Sequence, residues 1–99
     1  AVEDLFFATN AKTIIPVVQA RGVALLAAGK NNIPTASYSP LTVKRTICGY
    51  GKALKPQVQQ MITKILKLSK IPKPDDTADA LAIALTHAYS YKMKQATYT

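Results

Sequence analysis

Ninety-nine residues leave room for one small domain and not for two, and with 48% hydrophobic residues the chain does not read as disordered. Thirteen Lys and Arg against five Asp and Glu give a formal charge of +8, which favours a polyanionic partner. The single cysteine, Cys48, makes no intrachain disulfide or zinc site by itself. The longest apolar run, Gly22 to Gly29, is far short of the roughly 18 residues of a membrane span. With neither a basic leader nor a cleavage site at its start, the chain reads as cytoplasmic, with no membrane partner.

In chain order, Ala1 to Phe6 reads as a buried strand that starts abruptly, without an initiator Met or a polar lead, so a fragment is expected. Ile14, Ile15, Val18, Leu25 and Leu26 then recur at helical spacing. Thr13 as N-cap would place Pro16 in the first turn, where its missing N–H has no intrahelical partner, and Gly29 is the expected C′ residue. Ile33 to Tyr38 is extended, so strand, helix and strand make a βαβ unit with parallel neighbours. Ser39-Pro40 opens a short helix to about Ile47, and Gly49 to Leu54 is a loop. Pro56 lies in the first turn of a helix to about Leu68. Val58, Met61, Ile62, Ile65 and Leu66 should form its buried side, with Lys64, Lys67 and Lys70 at its basic end. Ile71-Pro72-Lys73-Pro74 is a stiff linker, and a last helix runs from Asp75 or Asp76 to about Ser90. Residues 1–90 form the domain, and residues 91–99 a polar tail.

The acids are the most telling feature. All five lie in two places, Glu3-Asp4 and Asp75-Asp76-Asp79, while the stretch from Leu5 to Pro74 holds eleven cations and no carboxylate. If the fold joins the two places, an acidic pocket sits inside a basic surface. Such a pocket suits a divalent metal acting on a phosphodiester held by lysines. Glu3 shares a strand face with Leu5, an unusual setting for a merely solvated acid. Asp76 and Asp79 stand three apart on one helix face. Capping and dipole stabilisation alone would account for that pair, at about 0.3–1 kcal/mol each. Asp4 and Asp75 read as solvated, with Asp75 a possible cap. His87 reads as a surface or half-buried helix residue and is assigned no metal.

Four separated segments, Ala1-Val2-Glu3-Asp4-Leu5-Phe6-Phe7, Gln19-Ala20-Arg21-Gly22, Gly51-Lys52-Ala53-Leu54-Lys55-Pro56-Gln57-Val58 and Asp76-Thr77-Ala78-Asp79-Ala80-Leu81-Ala82-Ile83-Ala84, resemble the bacterial RuvC family of Holliday-junction resolvases. The resemblance keeps the family's order over nearly the whole chain. It implies an α/β, RNase H-like fold and a homodimeric, metal-dependent endonuclease that nicks four-way DNA junctions symmetrically in recombination and repair. Glu3, Asp76 and Asp79 match the family's metal ligands, Lys44 and Lys55 its active-site lysines. Phe6 matches an aromatic that wedges into the junction crossover. Two Mg²⁺ or Mn²⁺ ions, a dimer contact through the helix Thr13–Ala28 and a branch-migration helicase partner are implied in the same way. The family's first catalytic aspartate lies in a Gly-Ile-Asp-Pro-Gly-like motif with no counterpart here. The resemblance therefore covers the family's C-terminal two-thirds, without its first three strands and first helix, and implies an incomplete core and an inactive, self-associating piece. The alternative from a different class is a non-catalytic DNA-binding module that uses the basic surface alone. A helical interaction protein with an adventitious charge pattern would bind no DNA.

Overall fold

The computed structural model describes residues 1–4 and 11–98, with side-chain surroundings for 1–4 and 14–91. Two short parallel strands, β1 (Val2–Glu3) and β2 (Ser37–Tyr38), are joined through α1 (Ala11–Lys30). Three helices follow: α2 (Pro40–Cys48), α3 (Lys55–Ile65) and α4 (Asp75–Tyr98). Val2 lies opposite Ser37 and Glu3 opposite Tyr38. The ladder is extended by Val2 N–H donating to the Ala36 carbonyl (2.9 Å) and Asp4 N–H to the Tyr38 carbonyl (2.8 Å). The expected βαβ unit is present. Among the described residues the paired segments are Val2–Glu3 and Ser37–Tyr38, the second shorter than Ile33–Tyr38 suggests. Leu5 to Asn10, with the end of the expected first strand, lie outside the described residues.

Helix boundaries follow local chemistry. Helix α1 begins at Ala11, ahead of the expected Thr13 cap, so Pro16 lies inside the helix and forgoes one i→i−4 bond. Its end moves too. Gly29 stays helical and Asn32 takes the left-handed conformation (φ 55). Asn32 N–H then donates to the Gly29 carbonyl (3.2 Å) and Ile33 N–H to that of Ala28 (2.9 Å). This is the paired C-terminal closure that Asn tolerates almost as well as Gly, and the Asn31 side chain ties back to the Ala27 carbonyl (2.7 Å) as well. Helix α2 keeps its predicted Ser39 cap, whose Oγ accepts from Thr42 N–H (3.1 Å), and ends at Gly49 with φ 88.

Helix α3 starts at Lys55, where Gln57 Oε1 accepts the Leu54 N–H (2.7 Å). It stops at Ile65, short of Leu68. Lys67 enters the left-handed region (φ 54), and Leu68 N–H closes on the Thr63 carbonyl (2.9 Å). That early stop leaves Leu66 exposed, contrary to its expected burial. Helix α4 opens at Asp75 and continues to Tyr98, so the chain does not leave the helix near Ser90.

The core lies where α2, α3 and α4 meet β2. Tyr38, Val43, Ile47, Ile62, Ala82 and Ile83 are buried together, flanked by Val58, Met61, Ile65, Leu81 and Leu85. Tyr38 Oη hydrogen-bonds His87 Nδ1 (2.7 Å), which pins α4 to the end of β2 and gives His87 a structural contact. Helix α1 stands apart. Ile15, Val17, Val18, Val23 and Leu26 are all exposed on it. Among the described residues, the hydrogen bonds tying α1 to the sheet come from Arg21. Its guanidinium donates to the Glu3 carbonyl (3.2 Å), Asp4 Oδ1 (3.5 Å) and Ser37 Oγ (2.7 Å). Asp4 is thus paired and not simply solvated.

Candidate active site

The parallel pairing carries Glu3 to the end of β1, beside the helix layer. Lys44 comes from the middle of α2, Lys55 from the first residue of α3, and Asp79 from the second turn of α4. These four charged side chains line one cleft of about 270 Å³, with Pro40, Val43, Val58, Ala82 and Ile83 as its apolar wall. The two acidic places of the sequence therefore meet through Glu3 and Asp79. Asp76 is not among the residues that line the cleft; it sits on the first turn of α4, three residues before Asp79 and about 60° from it around the helix axis. Phe6 lies outside the described residues.

The charges of the cleft act on one another. Partial burial pushes the Glu3 carboxyl above the usual range, Asp79's negative charge pushes it further, and Lys55 pulls it back. Lys55 Nζ lies 3.7 Å from Asp79 Oδ2 and 3.7 Å from Asp75 Oδ2. It acts as a built-in counter-ion between the helix starts of α3 and α4. All three groups are about half exposed, so these pairs contribute little to stability by themselves. A larger hollow of about 480 Å³, lined by Cys48, Tyr50, Gln57, Gln60, Met61, Thr63, Lys64 and Ile71, carries no carboxylate. Burial pushes the Cys48 thiol up, away from its reactive thiolate form.

Glu3 and Asp79 offer hard carboxylate oxygens to the cleft, and the Lys55 ammonium already lies 3.7 Å from one of them, Asp79 Oδ2. This donor set fits one divalent ion whose remaining positions are filled by water and phosphate, the usual mode for Mg²⁺. Among the described residues no three His, Cys, Asp or Glu side chains converge, so a Glu3–Asp76–Asp79 triad is not assembled. Asp75 was the residue that sequence reasoning passed over. It pairs with Lys55 and Lys73 and accepts from Gln59, and its i, i+4 spacing to Asp79 was the available signal. Arg21 carried a weaker signal, as a cation in an acid-free stretch.

Comparison with known proteins gives the fold and site a context. The family model described as crossover junction endodeoxyribonuclease RuvC matches residues 1–87. A crossover junction endodeoxyribonuclease RuvC of Natranaerobius thermophilus is 56% identical over 94 residues, covering 95% of this chain and 58% of that protein. The protein of the same name from Fusobacterium nucleatum is 62% identical over 94 residues, 95% of this chain and 50% of its own length. A structure of Thermus thermophilus RuvC in complex with Holliday junction substrate superposes with a TM-score of 0.85 at 40% identity, over 93% of this chain and 56% of that one. The chain spans about half the length of the curated relatives it matches. Its parallel strand pair and helix layer are part of the RNase H-like fold of these neighbours. An α/β layer that brings Glu3, Lys44, Lys55 and Asp79 to one cleft, in a sequence matched by the family model from its first residue to His87, places this chain in the RuvC family.

Proposed function

We propose that this chain carries much of the active site of a metal-dependent endonuclease that cuts four-way DNA junctions. The observation that supports it best is the cleft itself: two carboxylates, Glu3 and Asp79, line it together with Lys44 and Lys55, and Lys55 lies 3.7 Å from Asp79. Relatives carry the name crossover junction endodeoxyribonuclease, and a similar structure holds a Holliday junction. Glu3 and Asp79 would hold the divalent ion, Mg²⁺ or Mn²⁺, with Asp76 joining only by turning toward the cleft. What the ion supplies when bound is Lewis acidity toward a phosphoryl oxygen and an attacking water. Lys55 and Lys44 bind the scissile phosphate, and Lys55 offsets the charge that builds on it during cleavage.

The same reading includes several further parts. Phe6 serves as the junction wedge. A homodimer forms through α1, whose exposed Val23 and Leu26 need cover. A branch-migration helicase is a partner, and a protein acting on bacterial DNA works in the cytoplasm. Residues 1–90 are the nuclease part and residues 91–99 the tail. Two carboxylates are too few for a two-ion site, so residues 1–99 by themselves are inactive.

The test joins residues 1–99 to the unmatched N-terminal part of the Natranaerobius relative and assays junction nicking with Mg²⁺ or EDTA. The joined protein should nick only with metal, and residues 1–99 alone should not. Glu3→Gln and Asp79→Asn should abolish nicking while retaining junction binding. Ionised Glu3 costs folding free energy, because its carboxyl is raised and its proton is lost above that raised value. Glu3→Gln should therefore melt no lower than the parent at pH 7. Junction binding with no nicking by the joined protein would leave the non-catalytic binding module as the better reading.

A further inference from the structure

Asp75 opens α4 with its side chain half exposed, yet three other side chains hold its carboxylate. Oδ1 accepts from Gln59 Nε2 at 3.3 Å and faces Lys73 Nζ at 3.8 Å, while Oδ2 faces Lys55 Nζ at 3.7 Å. Gln59 is one of the few buried polar residues among those described, 9% exposed, and follows Lys55 by four positions on α3. A buried amide thus fixes the carboxylate, and helix capping needs no such fixing. Lys55 lies equally far, 3.7 Å, from Asp79 Oδ2, so one ammonium is shared by two carboxylates. Asp79 lines the cleft and Asp75 does not.

We infer that Asp75, held by Gln59, is a positioning residue for Lys55: it is the seat that keeps the ammonium beside the cleft when a divalent cation takes the oxygens of Asp79. The inference rests on the metal-binding reading of the cleft given above. Lys55 and the cation carry the same sign and compete for Asp79. Without Asp75, the nearest carboxylate left to Lys55 is Asp79, and each cation that binds must displace the lysine into water. With Asp75 present, a small swing of the side chain frees Asp79 while the ammonium stays within reach of an incoming phosphate. Glu3 across the cleft favours both cations, and Lys73, on the outer side of Asp75, competes with Lys55 for the seat.

The experiment measures Mn²⁺ affinity of the chain by electron paramagnetic resonance of free Mn²⁺, without DNA, with thermal melts to verify folding. Lys55→Met should tighten Mn²⁺ binding by removing the competitor. Asp75→Asn should weaken it about two- to five-fold, the range that exposed ion pairs supply. Gln59→Leu, which frees the carboxylate but alters no charge, should weaken it in the same direction and keeps the test open if Asp75→Asn fails to fold. In the Lys55→Met background both losses should shrink to less than half. Equal losses with and without Lys55 would mean that Asp75 acts on the ion directly, and would overturn the inference alone. No Mn²⁺ binding by the unaltered chain would overturn the metal-binding reading and this inference with it.

Discussion

Lys55 and Lys64 stand on one helix nine residues apart, yet the structure gives them different surroundings. Lys55 faces Asp75 and Asp79 at the mouth of the cleft, whereas Lys64 lines the hollow without carboxylates. A cation that offsets charge in the transition state affects rate more than binding. In the joined, active protein, Lys55→Met should lower the single-turnover nicking rate about a hundredfold, the scale of losing one charge-stabilising donor, while junction affinity changes by less than about three-fold. Lys64→Met or Lys67→Met should weaken binding modestly and leave the single-turnover rate close to that of the parent. Equal loss of rate and affinity in Lys55→Met would make that lysine a phosphate anchor and nothing more. Most of these residues were legible in the sequence because acids are scarce enough that their two clusters stood out. Which of Asp75, Asp76 and Asp79 face Lys55 was not, because it depends on how α4 is rotated against α3.

Helices in this molecule are well started and less well stopped. Ser39 and Gln57 both satisfy backbone donors at helix starts, Ser39 as the sequence predicts and Gln57 by a side-chain contact that the sequence reading did not mark. The ends of α1 and α3 place Asn32 and Lys67 in the left-handed region instead of glycine. Lysine there carries a steric cost of about 1 kcal/mol that Gly avoids, less what Gly loses through a freer unfolded chain. Lys67→Gly should therefore leave stability unchanged or raise it by up to about 1 kcal/mol, whereas Ser39→Ala should lower it by about 1 kcal/mol. Urea unfolding of the three proteins checks both signs. The end of α1 was misjudged because the sequence rule looked for Gly at a C′ position, and Gly29 sits three residues before the actual turn.

At the scale of the whole molecule, a net charge of +8 with all five acids in two clusters leaves most of the surface positive. Binding to junction DNA should weaken steeply with salt. Three or more phosphate contacts, at roughly 0.9 each, give a log–log slope of about −3 or steeper. Preference for junction over linear duplex should require two such surfaces in one dimer. Val23→Asp, on the exposed apolar side of α1, should yield monomers by sedimentation and remove that preference while leaving duplex affinity nearly unchanged. A flat salt response would separate the charge pattern from DNA binding. A Val23→Asp protein that remains dimeric would move the interface off α1.

The sequence by itself determined the fold class, the order of strand, helix and strand, the capped start of α2 and the candidate cations and acids. The element order, the cap and the charge clusters follow from local periodicity, from turn chemistry or from a charge count, whereas the RNase H-like fold class came from the family resemblance carried by four short segments. Tertiary structure alone decided that Glu3 meets Asp79 and leaves Asp76 outside, that Arg21 clasps both strand ends, and that Asp75 shares Lys55. These contacts span 16 to 76 positions of chain. Their existence depends on the angle and rotation at which packed helices settle, which the residues on either side do not encode locally.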